Sequence, residues 1–464
     1  MDSTFDARNF SAGKFSVRNI GGRNIAVVTQ HVVTLHLAKA DATAAAGGVF
    51  LAAACKTGWR AGAQVVAQVS LLMTSLMSLL LTGCGGGGGG GSTAAADSAP
   101  EDSAPSAQAS LGEKNFADAS LLASGAQACA TGHVAEQGHG PRNALAAQLD
   151  GPALQSQDIR SAPSIRYLGL PRSFRLAADG APSGGFFWDG RDASLLDQAG
   201  RPFLSTTELA NGSLAEAVTR LARATYAEAF KRVFGADIFS RPDAAFDRMT
   251  LALQQYQLED PEFRPFSSKY DEFLRDRAAL TTTELRGLAW FNSPDKGNCA
   301  ACHPSAKGAD GSLPLSTDFS RDNLGVPRSA ELERNADAGY FDLGLCAREG
   351  GDMAARADLC GAFKVPSLRN VALRGALFHN GRFKTLKDAL GLYVQRDTNP
   401  EKFYPADAQG QVLKFDDLPP QYRRNVNTTE APYNRQPGQA PALNNAEIDE
   451  LIAFLHTLTD GFKP

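Results

Sequence analysis

Cysteine is scarce in this sequence, with only seven in 464 residues. A disulfide scaffold for a chain of this length would need many more, so each cysteine requires its own explanation. The chain also lacks an excess of either charge, since 46 Lys and Arg stand against 50 Asp and Glu, and it has no basic block. This balance argues against nucleic acid as a partner.

Sustained strand alternation is absent too, whereas helical patterns recur. Ser213 and Glu216 have capping-box spacing ahead of an apolar face, and Thr281 and Glu284 repeat that signal. Near the C-terminus, Asn445 is predicted to cap a helix whose apolar face is Ile448, Leu451, Ile452 and Leu455. The segments between are rich in Gly, Pro, Asp and Asn. These patterns predict a mainly α protein with long loops.

The first 84 residues are predicted to contain an export signal. An apolar run over residues 65–81 follows Lys56 and Arg60 and leads into Thr82, Gly83 and Cys84. A basic flank, an apolar core and small residues before a cysteine are typical of a bacterial lipoprotein signal. The alternative is a short transmembrane anchor, but the run is shorter than the roughly 20 residues of a comfortable span. We therefore predict a periplasmic protein that meets the membrane only through lipid on Cys84.

The chain after Cys84 divides by composition. Residues 85–110 begin with seven glycines and continue rich in Ala, Ser, Asp and Pro, which predicts a flexible tether. The folded body is predicted to start near residue 111. A boundary near residue 275 would separate an N-terminal domain, 111–275, from a C-terminal domain, 276–464.

A haem-attachment motif lies at the start of the predicted C-terminal domain, in Cys299-Ala300-Ala301-Cys302-His303. In such a motif two thiols add to the haem vinyl groups and the adjacent histidine ligates iron. The alternative is a zinc or redox Cys-x-x-Cys. It is disfavoured because no second cysteine pair or nearby histidine completes a metal site.

An imperfect copy lies upstream in Cys129-Ala130-Thr131-Gly132-His133, where Gly132 takes the place of the second thiol. A haem here would keep one thioether through Cys129 and its iron bond through His133. If this first haem has instead been lost, the protein is a mono-haem electron carrier.

From residue 111 to 464 the chain resembles the bacterial di-haem cytochrome c peroxidases, a family that includes the MauG-type enzymes. The resemblance rests on the Cys299 motif and four other segments: Phe187-Trp188-Asp189-Gly190-Arg191, residues 202–208, Lys364-Val365-Pro366-Ser367-Leu368-Arg369-Asn370, and Phe378-His379-Asn380-Gly381. It implies two cytochrome c-like domains with two haem c groups. It also implies an enzyme that reduces hydrogen peroxide with electrons from a protein, either cytochrome c or an aromatic residue of a substrate protein.

The resemblance implies a role for several residues. His133 would be the proximal ligand of the peroxidatic haem and His303 that of the second haem, with Trp188 carrying charge between them. Glu208 corresponds to the acid that moves a proton between the peroxide oxygens. Pro202 would crowd the open coordination position without becoming a ligand. Taken singly, a buried Trp, a solvated Glu and a turn Pro would be the simpler interpretations.

Tyr393 follows His379 by fourteen residues, where cytochrome-oxidising members have a methionine ligand and MauG-type members have tyrosine. A phenolate oxygen stabilises ferric and higher states, whereas a thioether raises the potential. Tyr393 as ligand of the second haem therefore favours storage of oxidising equivalents and oxidation of a partner's aromatic residue. The alternative is a tyrosine that only packs within a helix.

Three further features are left open by the sequence. His379 lies near the haems in the family, and His139 either caps the first iron in a resting form or is an ordinary loop histidine. The family also implies a calcium ion between the domains, with carbonyl ligands from Arg374 and Ala376, although Tyr167 replaces its Asn ligand. Cys346 and Cys360, with thirteen residues between them, are predicted to pair, because an oxidising periplasm favours a disulfide over two free thiols.

Overall fold

The computed structural model describes residues 16–20, 23–27, 104–171 and 173–464. Strands β1 (Ser16–Ile20) and β2 (Arg23–Val27) pair antiparallel, with Ser16 opposite Val27. This hairpin belongs to one unit of the chain, and residues 104–464 belong to another. The predicted lipoprotein signal, Cys84 and the glycine run lie outside the described residues.

The second unit is built mainly from α-helices joined by long irregular segments. Its α-helices are α1 (Ala107–Ala117), α2 (Cys129–Gly132), α3 (Leu195–Leu204), α4 (Leu214–Leu221), α5 (Ala227–Phe234), α6 (Pro242–Glu259), α7 (Lys269–Leu274), α8 (Thr282–Asn292), α9 (Leu386–Gln395) and α10 (Asn445–His456). Its antiparallel pairs are β3 (Leu149–Asp150) with β4 (Ser156–Gln157), β5 (Arg175–Leu176) with β6 (Pro182–Ser183), and β7 (Arg321–Asp322) with β8 (Phe363–Lys364).

These strands are only two residues long, and the chain between α8 and α9 contains 3-10 turns and loops but no α-helix. The predicted mainly α class with long loops is therefore confirmed. None of the helices in the described ranges is long and apolar enough to cross a membrane.

The first apolar core forms where α1 crosses α6. Gly112 permits the close approach, since a Cβ at this position would lie 2.0 Å from the carbonyl oxygen of Ala252. Leu111, Phe116 and Phe263 are among the buried residues of this core. The crossing holds the N-terminal and C-terminal helices of this half together around the segment that carries Cys129.

A second core repeats the arrangement where α8 crosses α10. A Cβ on Gly287 would lie 2.1 Å from the carbonyl oxygen of Glu450, so again only glycine fits the contact. Tyr270, Phe291 and Phe454 are buried in this core. The two cores divide between Phe263 and Tyr270, a few residues before the predicted boundary near 275, which stays a prediction.

Helix starts agree with the sequence signals in most cases. Thr281 and Glu284 form the predicted capping box, which is confirmed. Ser213 caps α4 by accepting from the Glu216 N–H, while the Glu216 carboxylate accepts from the Gly212 N–H. The cap predicted at Asn445 is wrong by one residue.

At the C-terminal helix, Asn444 caps α10, because its side chain accepts from the N–H groups of Ala446 and Glu447. At the other end of the body, the predicted tether extends too far. Ser106 caps α1 within residues 85–110, and Ala109 is already buried. Folded structure thus begins before residue 111.

Cys346 and Cys360 form a disulfide with an S–S distance of 2.04 Å. Both residues are buried. The bond closes the loop that precedes the Lys364 motif.

Candidate functional site

The first of the two cavities that adjoin the Cys-x-x-x-His segments opens beside α2. Apolar and polar side chains from both ends of the N-terminal half meet here. They include Phe116, Leu122, Cys129, His133, Asp150, Asp158, Gln198, Pro202, Glu208, Leu209 and Leu253. The cavity therefore gathers four predicted site residues, Cys129, His133, Pro202 and Glu208.

The His133 ring is held on its Nδ1 side. Its backbone N–H donates to the Cys129 carbonyl oxygen at 2.9 Å, and Nδ1 lies 3.1 Å from the His139 carbonyl oxygen. Donation from Nδ1 fixes the tautomer whose Nε2 is free to bind metal. Burial lowers the pKa of His133 to about 4, so the imidazole is neutral at pH 7.

Gly132 leaves an open position in the same wall of the cavity. A Cβ built there meets no other atom within 4 Å. Cys129, in contrast, is a free thiol that lines the cavity, and burial raises its pKa to about 12. One thiol and one imidazole thus face the space.

Helix α3 and the turn after it supply another wall of the cavity. Ser194 starts the helix by accepting from the Asp197 N–H, and Gln198 and Pro202 line the cavity one turn apart. Glu208 follows in the next turn, where its N–H donates to the Ser205 carbonyl oxygen.

Glu208 is poised to exchange a proton near neutral pH. Its burial and the nearby Asp158 carboxylate raise the pKa of Glu208 to about 7, although Arg191 acts in the opposite direction. Both protonation states are therefore populated at pH 7. Sequence reasoning missed Gln198 and Asp158, because neither lies in a motif and only the fold brings them to this cavity.

The second cavity lies beside the Cys299 motif and has an empty volume of about 1560 Å³. Its walls are largely apolar and come from the C-terminal half, apart from Trp188. Lining residues include Trp188, Phe291, Cys299, Cys302, His303, Asp342, Lys364, Phe378, His379, Leu390, Tyr393, Tyr433 and Leu455. The structure thus brings together Cys299, Cys302, His303 and Tyr393, as predicted from the sequence.

His303 repeats the arrangement of His133. Its backbone N–H donates to the Cys299 carbonyl oxygen at 2.8 Å, and its Nδ1 lies 2.8 Å from the Ser316 carbonyl oxygen. Burial lowers the pKa of His303. Here too a neutral imidazole with an available Nε2 stands beside free thiols, Cys299 and Cys302.

Tyr393 reaches the second cavity from α9. Its ring stacks on Phe378 at 5.6 Å between centroids and lies 6.0 Å from the ring of Tyr433. Burial raises the pKa of Tyr393 well above the ordinary tyrosine value. A tyrosine in these apolar surroundings becomes a phenolate only if a cation such as iron stabilises it.

Trp188 lies on the wall of the second cavity and also lines a central cavity next to it. Its indole Nε1 donates to the Ser161 carbonyl oxygen at 2.8 Å, and its own carbonyl accepts from the Lys364 N–H at 2.8 Å. The neighbouring Asp189 is fixed by Arg160, which also binds Asp342 through two oxygens. Trp188 is thereby clamped between the two halves.

His379 and His139, whose roles the sequence leaves open, lie in different surroundings. His379 is buried on the wall of the second cavity and stacks on Phe363 at 3.6 Å. His139 packs on Phe263 at 4.2 Å, and its Nδ1 accepts from Arg166. The His139 ring is not on the wall of the first cavity, so this arrangement gives no support to a capping role.

The calcium site implied by the sequence does not fit the residues present. Tyr167, Arg374 and Ala376 do line the same central cavity. However, the Tyr167 hydroxyl already donates to Asp460 and accepts from the Phe266 N–H. Within residues 104–171 and 173–464, no group of three or more His, Cys, Asp or Glu side chains is placed to hold a metal ion.

Both Cys-x-x-x-His cavities, by contrast, fit a haem c group. Each offers a large, mostly apolar space, a neutral imidazole fixed from its Nδ1 side, and at least one thiol. Zinc would require a compact set of four side-chain ligands, which neither motif provides.

Comparison with known proteins agrees with this geometry. The family model of the di-haem cytochrome c peroxidases matches residues 106–279. The methylamine utilization protein MauG of Paracoccus denitrificans is 35% identical over 366 residues, which cover 77% of this chain and 89% of that protein. The cytochrome c551 peroxidase of Nitrosomonas europaea is 32% identical over 49% of this chain and 59% of its own length.

A solved structure shares the fold as well. The diheme peroxidase BthA of Burkholderia thailandensis superposes with a TM-score of 0.70 and 36% identity, covering 77% of this chain and 87% of its own. The predicted resemblance and the cytochrome c-like fold are therefore confirmed.

These findings also favour the enzyme over the mono-haem carrier. The protein is a haem oxidoreductase with two haem c groups, and it reduces hydrogen peroxide with electrons from a protein. The chain belongs to the di-haem cytochrome c peroxidase family, together with the MauG proteins.

Proposed function

We propose that His133 and His303 are the proximal ligands of the two haems. Cys129 alone attaches the first haem, and Cys299 and Cys302 attach the second. The observation that carries this proposal is the repeated geometry, in which each histidine N–H bonds the carbonyl of its cysteine and each Nδ1 meets a backbone carbonyl. When bound in the first cavity, haem supplies the iron that allows the O–O bond of hydrogen peroxide to be cleaved.

Glu208 is the acid and base of this reaction. It takes a proton from one peroxide oxygen and returns it to the oxygen that leaves as water. A pKa near 7 suits both tasks, because neither proton transfer is then strongly uphill. Pro202 lines the same cavity with a ring that has no donor or ligand atom, so it leaves the reacting position open.

Trp188 carries oxidising equivalents between the two cavities. It lines the second cavity and is bonded to both halves of the protein, through Ser161 on one side and Lys364 on the other. Its rigid attachment lowers the reorganisation that accompanies charge transfer.

Tyr393 is the second ligand at the His303 site and favours a MauG-like use of the oxidising equivalents. A phenolate stabilises oxidised iron, so this half stores oxidising power instead of accepting electrons readily from a cytochrome. We therefore expect the electrons to come from an aromatic residue of a substrate protein in preference to cytochrome c.

The enzyme acts in the periplasm, anchored by lipid on Cys84. The sequence of residues 56–84 supports export, and the Cys346–Cys360 disulfide supports an oxidising compartment. A Cys84→Ser variant should then leave the membrane fraction; retention of this variant in membranes would contradict the lipid anchor.

Haem quantitation tests the central proposal. The mature protein, produced with a cytochrome c maturation system, should contain two haems per chain by pyridine haemochrome assay. Hydrogen peroxide should change its absorption spectrum. One haem per chain, located by peptide mass spectrometry at Cys299 and Cys302, would contradict the proposal and leave an electron carrier.

A further inference from the structure

The central cavity carries an unusual charge for a calcium site. It lies beside Trp188, has an empty volume of about 1170 Å³ and is lined by Tyr167 and Ala376. Its charged lining residues are all cations: Arg166, Lys364, Arg369 and Arg374. Calcium binds to oxygen ligands, which are carboxylates, backbone and amide carbonyls, and water. Asp460 and Asp271 pair with Arg166 and Arg369 behind the wall, so these carboxylates are engaged, and the wall itself offers calcium no carboxylate.

The side chain of Arg374 lies between the N-terminal and C-terminal halves of the protein. Its Nη2 donates to the Ala162 carbonyl oxygen at 2.6 Å and to the Ser161 hydroxyl at 3.3 Å. The Ser161 carbonyl oxygen accepts a hydrogen bond from the indole N–H of Trp188. The Ser161 N–H donates to the His379 carbonyl oxygen at 2.7 Å. One guanidinium therefore links the second half to the segment of the first half that positions Trp188.

The guanidinium also has unused binding capacity. Its Nη1 is buried and has no hydrogen-bond partner in the described part of the chain. Burial lowers the pKa of Arg374, and no carboxylate acts in the opposite direction. Arginine stays protonated in proteins, so a buried cation without a counterion requires an anion from elsewhere. In a cavity next to two haem sites, haem carboxylates have the matching charge.

We propose that Arg374 takes the place of the interdomain calcium ion. Its guanidinium supplies the fixed positive charge that joins the two halves beside Trp188, and its Nη1 pairs with a haem carboxylate. The pairing of Nη1 with a haem carboxylate rests on the proposed haem sites. The role of Arg374 in place of calcium predicts an enzyme whose stability and spectrum do not depend on calcium.

The wild-type holoenzyme provides the first test. After purification without added calcium, elemental analysis should find far less than one calcium ion per chain. Neither EGTA nor added calcium chloride should change its melting temperature or its haem absorption spectrum. One tightly held calcium ion per chain, with a melting temperature that falls in EGTA, would overturn the proposal.

Variants supply the second test. Arg374→Gln should lower the melting temperature by roughly 3–5 °C, because a buried charged hydrogen-bond donor is lost. It should also lower the reduction potential of at least one haem, since removal of a nearby cation stabilises the oxidised form. Arg374→Lys, which keeps the charge, should restore most of the potential. Arg248→Gln, an exposed arginine of α6, should change neither property.

A loss of stability in Arg374→Gln with no change in either haem potential would overturn the role as counter-charge. The haem content of each sample is measured in parallel. Two haems per chain together with bound calcium would contradict only this inference, whereas a single haem in the wild type would contradict the proposed function.

Discussion

The indole Nε1 of Trp188 donates a 2.8 Å hydrogen bond to the carbonyl oxygen of Ser161. The same serine accepts from Arg374 through its hydroxyl and donates its N–H to His379. Trp188 is therefore oriented by a residue that is itself held by two further hydrogen bonds. This fixed orientation suits the relay role that we propose for Trp188.

Replacing Trp188 with Phe should interrupt charge transfer while leaving both haem sites filled. We expect the peroxide-dependent spectral change of the second haem to slow by at least about tenfold, which corresponds to roughly 1.4 kcal/mol in activation free energy. Stopped-flow absorption measures this change. Trp290→Phe is the matched control, because Trp290 lines neither haem cavity and donates its indole N–H to Glu450 of α10. Equal rates in both variants would exclude Trp188 as the relay.

Glu208→Gln should slow the reaction with peroxide by about 10²–10⁴-fold, because the amide keeps the size of the carboxylate but cannot exchange a proton. The haem content should not change. Single-turnover rates with hydrogen peroxide measure the effect. Glu333→Gln, at an exposed position, is the control. A rate within a factor of two of wild type would show that another group moves the proton.

The pH dependence of the same rate should report the Glu208 pKa. Only the carboxylate form accepts the peroxide proton, and burial raises the pKa of Glu208 to about 7. The wild-type rate constant should therefore fall as the pH drops below about 7 and level off above it. In Glu208→Gln this limb should disappear, and an identical profile in both proteins would assign it to a different group.

Some parts of this site were predictable from sequence because they depend on local spacing. The cysteine and histidine of each haem motif are four residues apart, so their backbone hydrogen bond follows from a single turn. The Thr281 capping box is equally local. The ligand role predicted for Tyr393 depends only on its spacing from His379, which matches the pattern of the family.

Other parts depend on long-range packing and carry no local signal. Asp158 raises the pKa of Glu208 across fifty residues of chain, and Arg374 reaches Ala162 from the other half. Gly112 and Gly287 are ordinary glycines in sequence, yet each marks a helix crossing. The shift of the α10 cap from Asn445 to Asn444 shows that adjacent identical residues leave the helix start ambiguous.

The Arg160–Asp342 pair joins the two halves and should make the protein sensitive to acid. Although burial raises the pKa of Asp342, Arg160 lowers it to about 2, from an ordinary value of 3.8. A depressed pKa stabilises the fold above pH 4 and loses this effect as the pH falls from about 4 to 2. The difference is worth about 2 kcal/mol.

Asp342→Asn should accordingly lower the free energy of unfolding by about 2 kcal/mol at pH 7. The difference in free energy of unfolding between the variant and the wild type should disappear between pH 4 and 2, as measured by denaturant unfolding at each pH. The exposed Asp358, which pairs with Arg356, gives the control variant Asp358→Asn. A difference that stays constant down to pH 2 would contradict the proposed coupling.

Tyr393→Met should raise the reduction potential of the second haem, because a thioether stabilises ferrous iron and a phenolate stabilises ferric iron. Spectroelectrochemical titration measures the potential, and the ligand change should also alter the absorption spectrum. Tyr433→Phe is the control, since this buried tyrosine lies in the same cavity 6.0 Å away. An unchanged potential in Tyr393→Met would mean that Tyr393 only packs within α9.

Gly132→Cys should restore a second thioether to the first haem. A Cβ at Gly132 meets no atom within 4 Å and the residue lines the cavity, so a thiol can enter without displacing its neighbours. The pyridine haemochrome band should shift to shorter wavelength as a second vinyl group is saturated, and peptide mass spectrometry should find the haem on both cysteines. Gly132→Ala adds the Cβ without sulfur and should leave the band in place. If Gly132→Cys shows no shift although haem is bound at His133, the vinyl group lies beyond reach of residue 132, and the glycine reflects a different haem placement instead of a lost cysteine.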